Sequence, residues 1–453
     1  MKQKIGAQIR FAEIIVPGVR HLTILVAILA LTACATPKPY QISMMPSPDV
    51  FADGAYNPFP DSDPDKWVPY GGMLYATDRK PVDDETRTAE VQFYQNQRGF
   101  LLRLGVGKIT VKKEGVTWEE VRQTSLLKGR SEDYPLAVTS VDEYGILESS
   151  YSIFTDPSLI ESRPGQAEMR FAAAINEKLA QSTFKDICIY VHGYKVLFDN
   201  PLLVATELWH FFGYDGVFIA YAWPSTPKAT AYFSDLETAA LSAHNLRKLI
   251  EYLSEKTDVG KIHIVGYSAG TRLVIEALNQ ISLMHTDQQN DEFQKKYNIG
   301  NVILTGSDFD RQLFGMFLDD GLSDVAERYT IYMSGTDKAL GLSEWLFGRN
   351  RLGQMWDEAK LSPAAVEYLQ SRPDINFINA TNASSADSGN GHAYFRKSPW
   401  VSSDVLMTLA YDYGPDARGL ELSTESPTWT FPADYDQRLR AILLEAHPEL
   451  EKK

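Results

Sequence analysis

The sequence predicts an α/β fold with a mainly parallel central sheet and helices on both faces, preceded by a β-rich N-terminal part. From Glu161 onward, short apolar runs alternate with longer helical stretches, the signature of strands buried on both faces and joined by crossover helices. Between Tyr70 and Ile153 the apolar runs are short, rich in β-branched and aromatic residues, and separated by polar turns, which reads as strands without intervening helices. The length of 453 residues at 44% hydrophobic content allows a full core, in one large domain or two moderate ones.

Taken in order, the chain begins outside this fold. Lys2, Lys4, Arg10 and Arg20 form a positive region ahead of an apolar stretch, residues 22–31, too short to span a bilayer comfortably. The stretch runs into Leu31-Thr32-Ala33-Cys34, which resembles the lipobox of bacterial lipoproteins, in which the cysteine is acylated and becomes the new N-terminus. Residues 1–33 are then a lipoprotein signal peptide and Cys34 a lipidation site. Each buried methylene contributes about 0.8 kcal/mol, so two or three acyl chains hold a soluble domain on a membrane where one binds marginally. The alternative is a plain cleaved signal, or a short anchor helix, with Cys34 unmodified. Ala35 stands where inner-membrane retention, by the same resemblance, takes an Asp. The expected location is therefore the cell envelope, lipid-anchored, at the outer membrane facing the periplasm. Residues 34–67 are rich in Pro, Asp and Ser and read as a semi-rigid tether. Cys188, the other cysteine, lies in an apolar run and reads as a small buried residue, so no intrachain disulfide forms once Cys34 is lipidated. The net charge of −15, from 44 basic and 59 acidic residues without a basic stripe, argues against nucleic acid as a partner.

The body is expected over residues 68–415, its β-rich part over 68–165, with residues 416–453 as a tail carrying a short helix. Residues 73–76, 100–111 and 135–141 read as strands. Residues 187–191 form a continuous apolar run fit for a central strand, and 201–212 a helix after it. A strand at 217–223 is stopped by Pro224. Ser234 and Glu237 have capping-box spacing at the start of a helix running to about residue 254. Residues 261–265 form a strand, and residues 271–281 carry Leu273, Val274, Ala277, Leu278 and Ile281 on one helical face. Residues 302–305, 329–333 and 375–378 supply three more strands, and the polar stretch 285–298 reads as a surface insertion.

One motif carries chemistry. Gly266-Tyr267-Ser268-Ala269-Gly270 lies between a strand and a helix. At roughly 7% usage each for Gly and Ser, the bare pattern arises by chance in about one chain in seven of this length. Its placement is the discriminating feature, because the nucleophile elbow of an α/β-hydrolase fold needs a strand, a sharp turn and a helix in that order. Gly266 and Gly270 are the elbow positions that must lack side chains so that strand and helix can approach. Ser268 becomes the candidate nucleophile, and the Ala269 amide, at the helix start, a candidate oxyanion donor. A surface serine in a Gly-rich turn is the bland alternative.

A serine hydroxyl needs a base, and the base an orienting acid. Of eight histidines, His21 lies in the export signal, His447 in the tail, His285 in the insertion, His210 and His244 on helices and His263 within a strand. His192 precedes Gly193 at the end of the 187–191 strand and lacks a metal-binding pattern around it, so no metal is expected. This leaves His392, in a Gly-rich loop after the last strand. For the acid, Asp337 follows the 329–333 strand and gives the chain order Ser, Asp, His. Asp308, after the preceding strand, competes, or caps the following helix. At His192-Gly193-Tyr194 the backbone amide of Tyr194 is expected as the second oxyanion donor, with Gly193 permitting the turn.

Five blocks extend this reading: Tyr75-Ala76-Thr77-Asp78-Arg79, Tyr190-Val191-His192-Gly193-Tyr194, Ala222-Trp223-Pro224-Ser225, residues 332–340 around Asp337, and Gly391-His392-Ala393-Tyr394-Phe395. With them the chain, over about residues 70–413, resembles an uncharacterised bacterial α/β-hydrolase family, catalogued as a domain of unknown function. The resemblance implies the fold and a hydrolytic triad, supports Asp337 over Asp308 and His392 as base, and says nothing about substrate. Where such proteins commonly place His and Met beside the serine, this chain has Tyr267 and Ala269, so the pocket lining differs while backbone roles remain. The expected activity is cleavage of carboxylic esters or thioesters of a small acyl or lipid substrate, without a cofactor. An amidase or peptidase would use the same residues, and a non-catalytic envelope lipoprotein could keep the fold to bind a lipid or a partner. Residues 340–369, between acid and base and rich in Leu and aromatics, are placed where lids are inserted, or else join the core.

Overall fold

The computed structural model describes residues 42–51, 56–127, 129–160, 164–284, 296–356, 362–424 and 426–446. The export signal, Cys34, most of the 285–298 insertion and the end of the tail with His447 lie outside the described residues.

The described chain is organised on an eleven-stranded sheet. Its strands are β1 (Met73–Pro81), β2 (Tyr94–Val111), β3 (Leu136–Ile146), β4 (Ile187–Val191), β5 (Val217–Tyr221), β6 (Ile262–Tyr267), β7 (Ile299–Thr305), β8 (Arg328–Met333), β9 (Ile375–Asn379), β10 (Glu421–Leu422) and β11 (Trp429–Thr430). They lie in the order β10-β11-β9-β8-β7-β6-β4-β5-β1-β2-β3. Pairing is parallel from β11 to β1 and antiparallel at both ends, between β10 and β11, β1 and β2, and β2 and β3.

The central strands are apolar at nearly every position because both faces are covered. Ile187, Ile189 and Val191 of β4 point into one core, while Cys188 and Tyr190 point into the other. The first core is closed by α2 (Gln166–Gln181), α4 (Tyr232–Lys256) and α5 (Gly270–Leu283), and the second by α3 (Asp199–Phe211), α10 (Pro399–Tyr411) and α11 (Tyr435–Ala446). Each fully buried aliphatic or aromatic side chain contributes about 1.5–3 kcal/mol relative to exposure. A one-residue slip of any central strand would exchange its two faces, so both cores together fix the register. The remaining helices are α1 (Trp118–Ser125), α6 (Arg311–Asp319), α7 (Lys338–Phe347), α8 (Pro363–Ser371) and α9 (Tyr394–Lys397).

Three expectations are corrected. The described part of the 34–67 tether packs on the body: Ile42, Met45, Val50 and Phe51 are each 2% exposed, and the Ile42 carbonyl and Met44 amide bond to Leu136 and Tyr134 beside β3. The prolines there interrupt secondary structure without keeping the chain off the core. The tail from residue 416 is likewise built in, since β11 pairs with β9 and Tyr435, Leu439 and Leu443 are buried. Ser234 and Glu237 form no capping box: α4 begins at Tyr232 after a 3₁₀ turn (Ala229–Ala231), and Ser234 Oγ donates back to the Ala231 carbonyl at 2.8 Å.

Candidate active site

The sharp turn between β6 and α5 places Ser268 at φ +53°, a left-handed conformation that a residue with a Cβ adopts only under constraint. The constraints are visible. The Ser268 amide donates to the Thr305 carbonyl at the end of β7 at 2.9 Å, and the Ser268 carbonyl accepts from the Thr271 amide at 3.0 Å and the Thr271 hydroxyl at 2.7 Å. A Cβ on Gly270 would stand 2.2 Å from the His192 carbonyl oxygen, so α5 starts directly against the end of β4. Gly266 is less stringent, its added Cβ meeting Val274 Cγ2 at 3.1 Å. A Cβ on Gly193 would stand 2.8 Å from Ser268 Cβ, which puts the His192-Gly193-Tyr194 turn beside the serine.

The loop after β9 brings His392 back over the rim. Its Nε2 lies 2.7 Å from Ser268 Oγ and its Nδ1 2.6 Å from Asp337 Oδ2. A carboxylate only accepts, so Nδ1 carries the proton and Nε2 faces the hydroxyl as acceptor. Asp337 follows β8 as the N-cap of α7, where its Oδ1 accepts from the Ala339 and Leu340 amides at 3.0 and 3.1 Å. One carboxylate thus starts a helix and holds an imidazole. The ring of Tyr267 lies 5.1 Å from that of His392. Below the histidine, Gly306 at φ +54° would put a Cβ 3.0 Å from His392 Cε1.

Ser268, Asp337 and His392, distant in sequence, are therefore brought together, and Asp308 is not among them. Its carboxylate accepts from the hydroxyls of Tyr232 and of Ser343, the latter at 2.5 Å, with Arg272 Nε 3.4 Å away. The helix cap expected of Asp308 comes instead from Asp310. His192 is buried, its Nδ1 2.6 Å from the Gly193 carbonyl and its Nε2 3.1 Å from that of Trp223. Burial, then the Arg79 cation, pulls its pKa well below the usual histidine range, so the ring is neutral and donates to one of these carbonyls. Burial raises the Cys188 thiol well above its usual range, which leaves it an unreactive core residue.

Tyr394, to which the sequence assigns no task, proves to be a fastener. Its hydroxyl donates to the Tyr332 carbonyl at 2.9 Å and accepts from the Gly306 amide at 2.7 Å, tying the His392 loop to the ends of β7 and β8. Its place two residues after the histidine was the available signal. A cavity of about 390 Å³, lined among others by Met73, Val111, Trp118, Trp209 and Tyr214, includes none of Ser268, Asp337 and His392. Among the described residues no helix is long and apolar enough to cross a membrane, and no group of His, Cys, Asp or Glu side chains could hold a metal ion.

A family model described as "Alpha/beta hydrolase of unknown function (DUF900)" matches residues 167–409, more than half of the chain. The match begins at α2 and so leaves out β1, β2 and β3. No curated protein and no solved structure matches the chain.

Proposed function

The chain belongs to this family of alpha/beta hydrolases of unknown function, and from that premise we propose that it is a serine hydrolase cleaving carboxylic esters or thioesters at the cell envelope. The observation that carries the reading is the unbroken hydrogen-bond chain from Ser268 Oγ through His392 to Asp337. Ser268 Oγ attacks the acyl carbon while His392 Nε2 takes its proton, and Asp337 holds the imidazole in the required tautomer and offsets the imidazolium that forms. The carbonyl electrons move onto oxygen, where the amides of Ala269 and Tyr194 stabilise them. Collapse of this intermediate expels the alcohol or thiol, which leaves with the proton from His392. Water, deprotonated by the same imidazole, then repeats the attack on the acyl-enzyme and restores Ser268.

The reading draws further support from the strain at Ser268 and from the two glycines that let α5 and the Gly193 turn approach it. Acylation of Cys34 would hold the enzyme on the membrane, and the small acyl or lipid substrate would be met there.

The test is labelling by a fluorophosphonate probe, which needs an activated serine. The full-length protein is expected to label and Ser268→Ala to lose the label, with ester turnover down by roughly four to six decades and the fold intact. Fractionated cells should carry the label with membranes, and Cys34→Ala should move it to the soluble fraction. A folded protein that never labels, or an alanine variant that turns over every ester tested, would remove Ser268 from its role. Amide substrates hydrolysed faster than matched esters would favour an amidase.

A further inference from the structure

We propose that Arg79, on a strand outside the family match, is a positioning residue that braces the turn carrying the Tyr194 amide. The inference rests on the serine-hydrolase reading. The turn from Gly193 to Val196 needs bracing because Lys195 sits at φ +68°, a left-handed conformation that is strained for a residue with a Cβ. Such strain persists only where the surroundings over-determine it.

Arg79 and Ser225 supply that over-determination at Val196, two residues past Tyr194. Arg79 Nη2 donates to the Val196 carbonyl at 3.0 Å, while Nη1 donates to Asn96 Oδ1 at 2.6 Å and the Gln95 carbonyl at 3.4 Å. The guanidinium therefore spans from the β2 ladder, which is fixed in the sheet, to a loop that is not. Ser225 Oγ closes the other side, accepting from the Val196 amide at 3.2 Å and donating to its carbonyl at 3.1 Å. Preceding the turn, the His192 carbonyl accepts from Trp223 Nε1 at 2.6 Å. Both ends of the four-residue stretch are thus pinned by side chains from β1 and from the segment after β5.

The choice of residue follows from geometry. A planar fork reaches acceptors on two elements at once, where an ammonium reaches one. Arg79 is fully buried, and burial, opposed by Asp78, Asp235 and Asp199, lowers its pKa to about 9, so it remains a cation at neutral pH. Its Nε has no acceptor, an expensive placement for a charged group unless the remaining bonds are needed. The blocks Tyr75-Ala76-Thr77-Asp78-Arg79 and Ala222-Trp223-Pro224-Ser225, which the triad leaves without a task, converge on one peptide of the oxyanion turn.

Because the effect falls on the oxyanion, it is exerted in the transition state and not in substrate binding. The experiment measures kcat and KM on a p-nitrophenyl ester, and the inhibition constant of a trifluoromethyl ketone that forms a tetrahedral adduct, for Arg79→Met, Arg79→Lys and Ser225→Ala. For Arg79→Met, kcat should fall roughly 10- to 100-fold and ketone affinity by a like factor, with KM within about twofold. Arg79→Lys should recover part of the loss, since one ammonium can still meet the Val196 carbonyl. Should Arg79→Met fail to fold, with a buried cation near Asp78, Asp199 and Asp235 removed, Ser225→Ala decides, because it alters no charge; a fall of roughly fivefold in kcat and ketone affinity is expected there. Folded variants that keep wild-type kcat and ketone affinity, or that change KM alone, overturn the proposal. Absence of fluorophosphonate labelling in the wild type would instead strike the Ser268 reading, and the brace would fall with it.

Discussion

His210, on α3, lies buried against the ring of Phe59 at a centroid distance of 4.4 Å, with Nε2 2.8 Å from Ser125 Oγ and Nδ1 3.0 Å from the Tyr214 hydroxyl. Burial, aided by Arg130, lowers its pKa to about 3. A base depressed in this way contributes in full above its unfolded value near 6.5 and loses that contribution as pH falls toward the folded value, because the unfolded chain binds the proton first. Asp199 works the other way, its pKa raised by burial to about 6, so the comparison that isolates His210 is between variants. Relative to wild type, His210→Gln should gain roughly 2–3 kcal/mol between pH 7 and pH 4.5, read from urea midpoints at each pH. Parallel midpoints across that range would show that the imidazole takes up its proton in the fold as readily as in the unfolded chain. At this scale the sequence was informative where chemistry and chain order coincide: Ser268 and His392 followed from residue type and loop position. Asp337 and Asp308 stand after adjacent strands, and their tertiary partners separate them: the His392 imidazole reaches Asp337, whereas the hydroxyls of Tyr232 and Ser343 reach Asp308. The block ending in Arg79 stood out in the sequence, but nothing local marks its arginine as buried or names the carbonyl it reaches.

Asp337 illustrates how an element and a site share one side chain. Oδ1 caps α7 and Oδ2 receives the His392 N–H. Asparagine keeps an acceptor for the cap but offers an amide that favours the wrong tautomer. Asp337→Asn is therefore expected to lower turnover by about four decades with stability nearly unchanged, whereas Asp337→Ala should also lose about 1 kcal/mol of helix stability. Thermal melts of the two variants beside their kcat values check this; equal melts for both would remove the capping role. Among the described residues of 340–369, only part joins the core. Leu342 and Trp345 on α7 are 64% and 68% exposed, while Leu352 and Trp356 are buried in the core. Hydrophobic content alone could not separate them, since the apolar face of a surface helix and a core segment draw on the same residues. The strands after Glu161 were legible because burial on both faces leaves continuous apolar runs. α4 was legible as a helix but not in its start, which tertiary packing sets at Tyr232.

For the described chain as a whole, residues ahead of β1, from Ile42 onward, contribute to the core. Ile42, Met45, Val50, Phe51 and Phe59 are buried beside α3 and β3. At about 1.5–3 kcal/mol each, their removal costs an amount comparable to the roughly 5–15 kcal/mol by which a typical domain is stable. A chain starting at residue 42 should melt cooperatively near the full-length value, and one starting at Pro69 should aggregate or melt without a sharp transition. A sharp, unshifted melt of the shorter chain would show these side chains to be mere decoration. Their composition disguised them: prolines at short intervals suggest an extended spacer, and the apolar residues between them have no period by which to recognise a buried face.

The two borders of the sheet carry a further meaning. An open border of backbone donors and acceptors invites a neighbouring molecule to add its own strand, the first step toward fibres. One border here is β10, two residues long, too brief for an incoming chain to gain purchase. The other, β3, is long, but it bears Asp142 and Glu143, kinks at Gly145 with φ +132°, and shifts register twice against β2. Were copies crowded together on a lipid surface, such borders would keep them apart as separate units, and strand-by-strand polymerisation would find no starting edge.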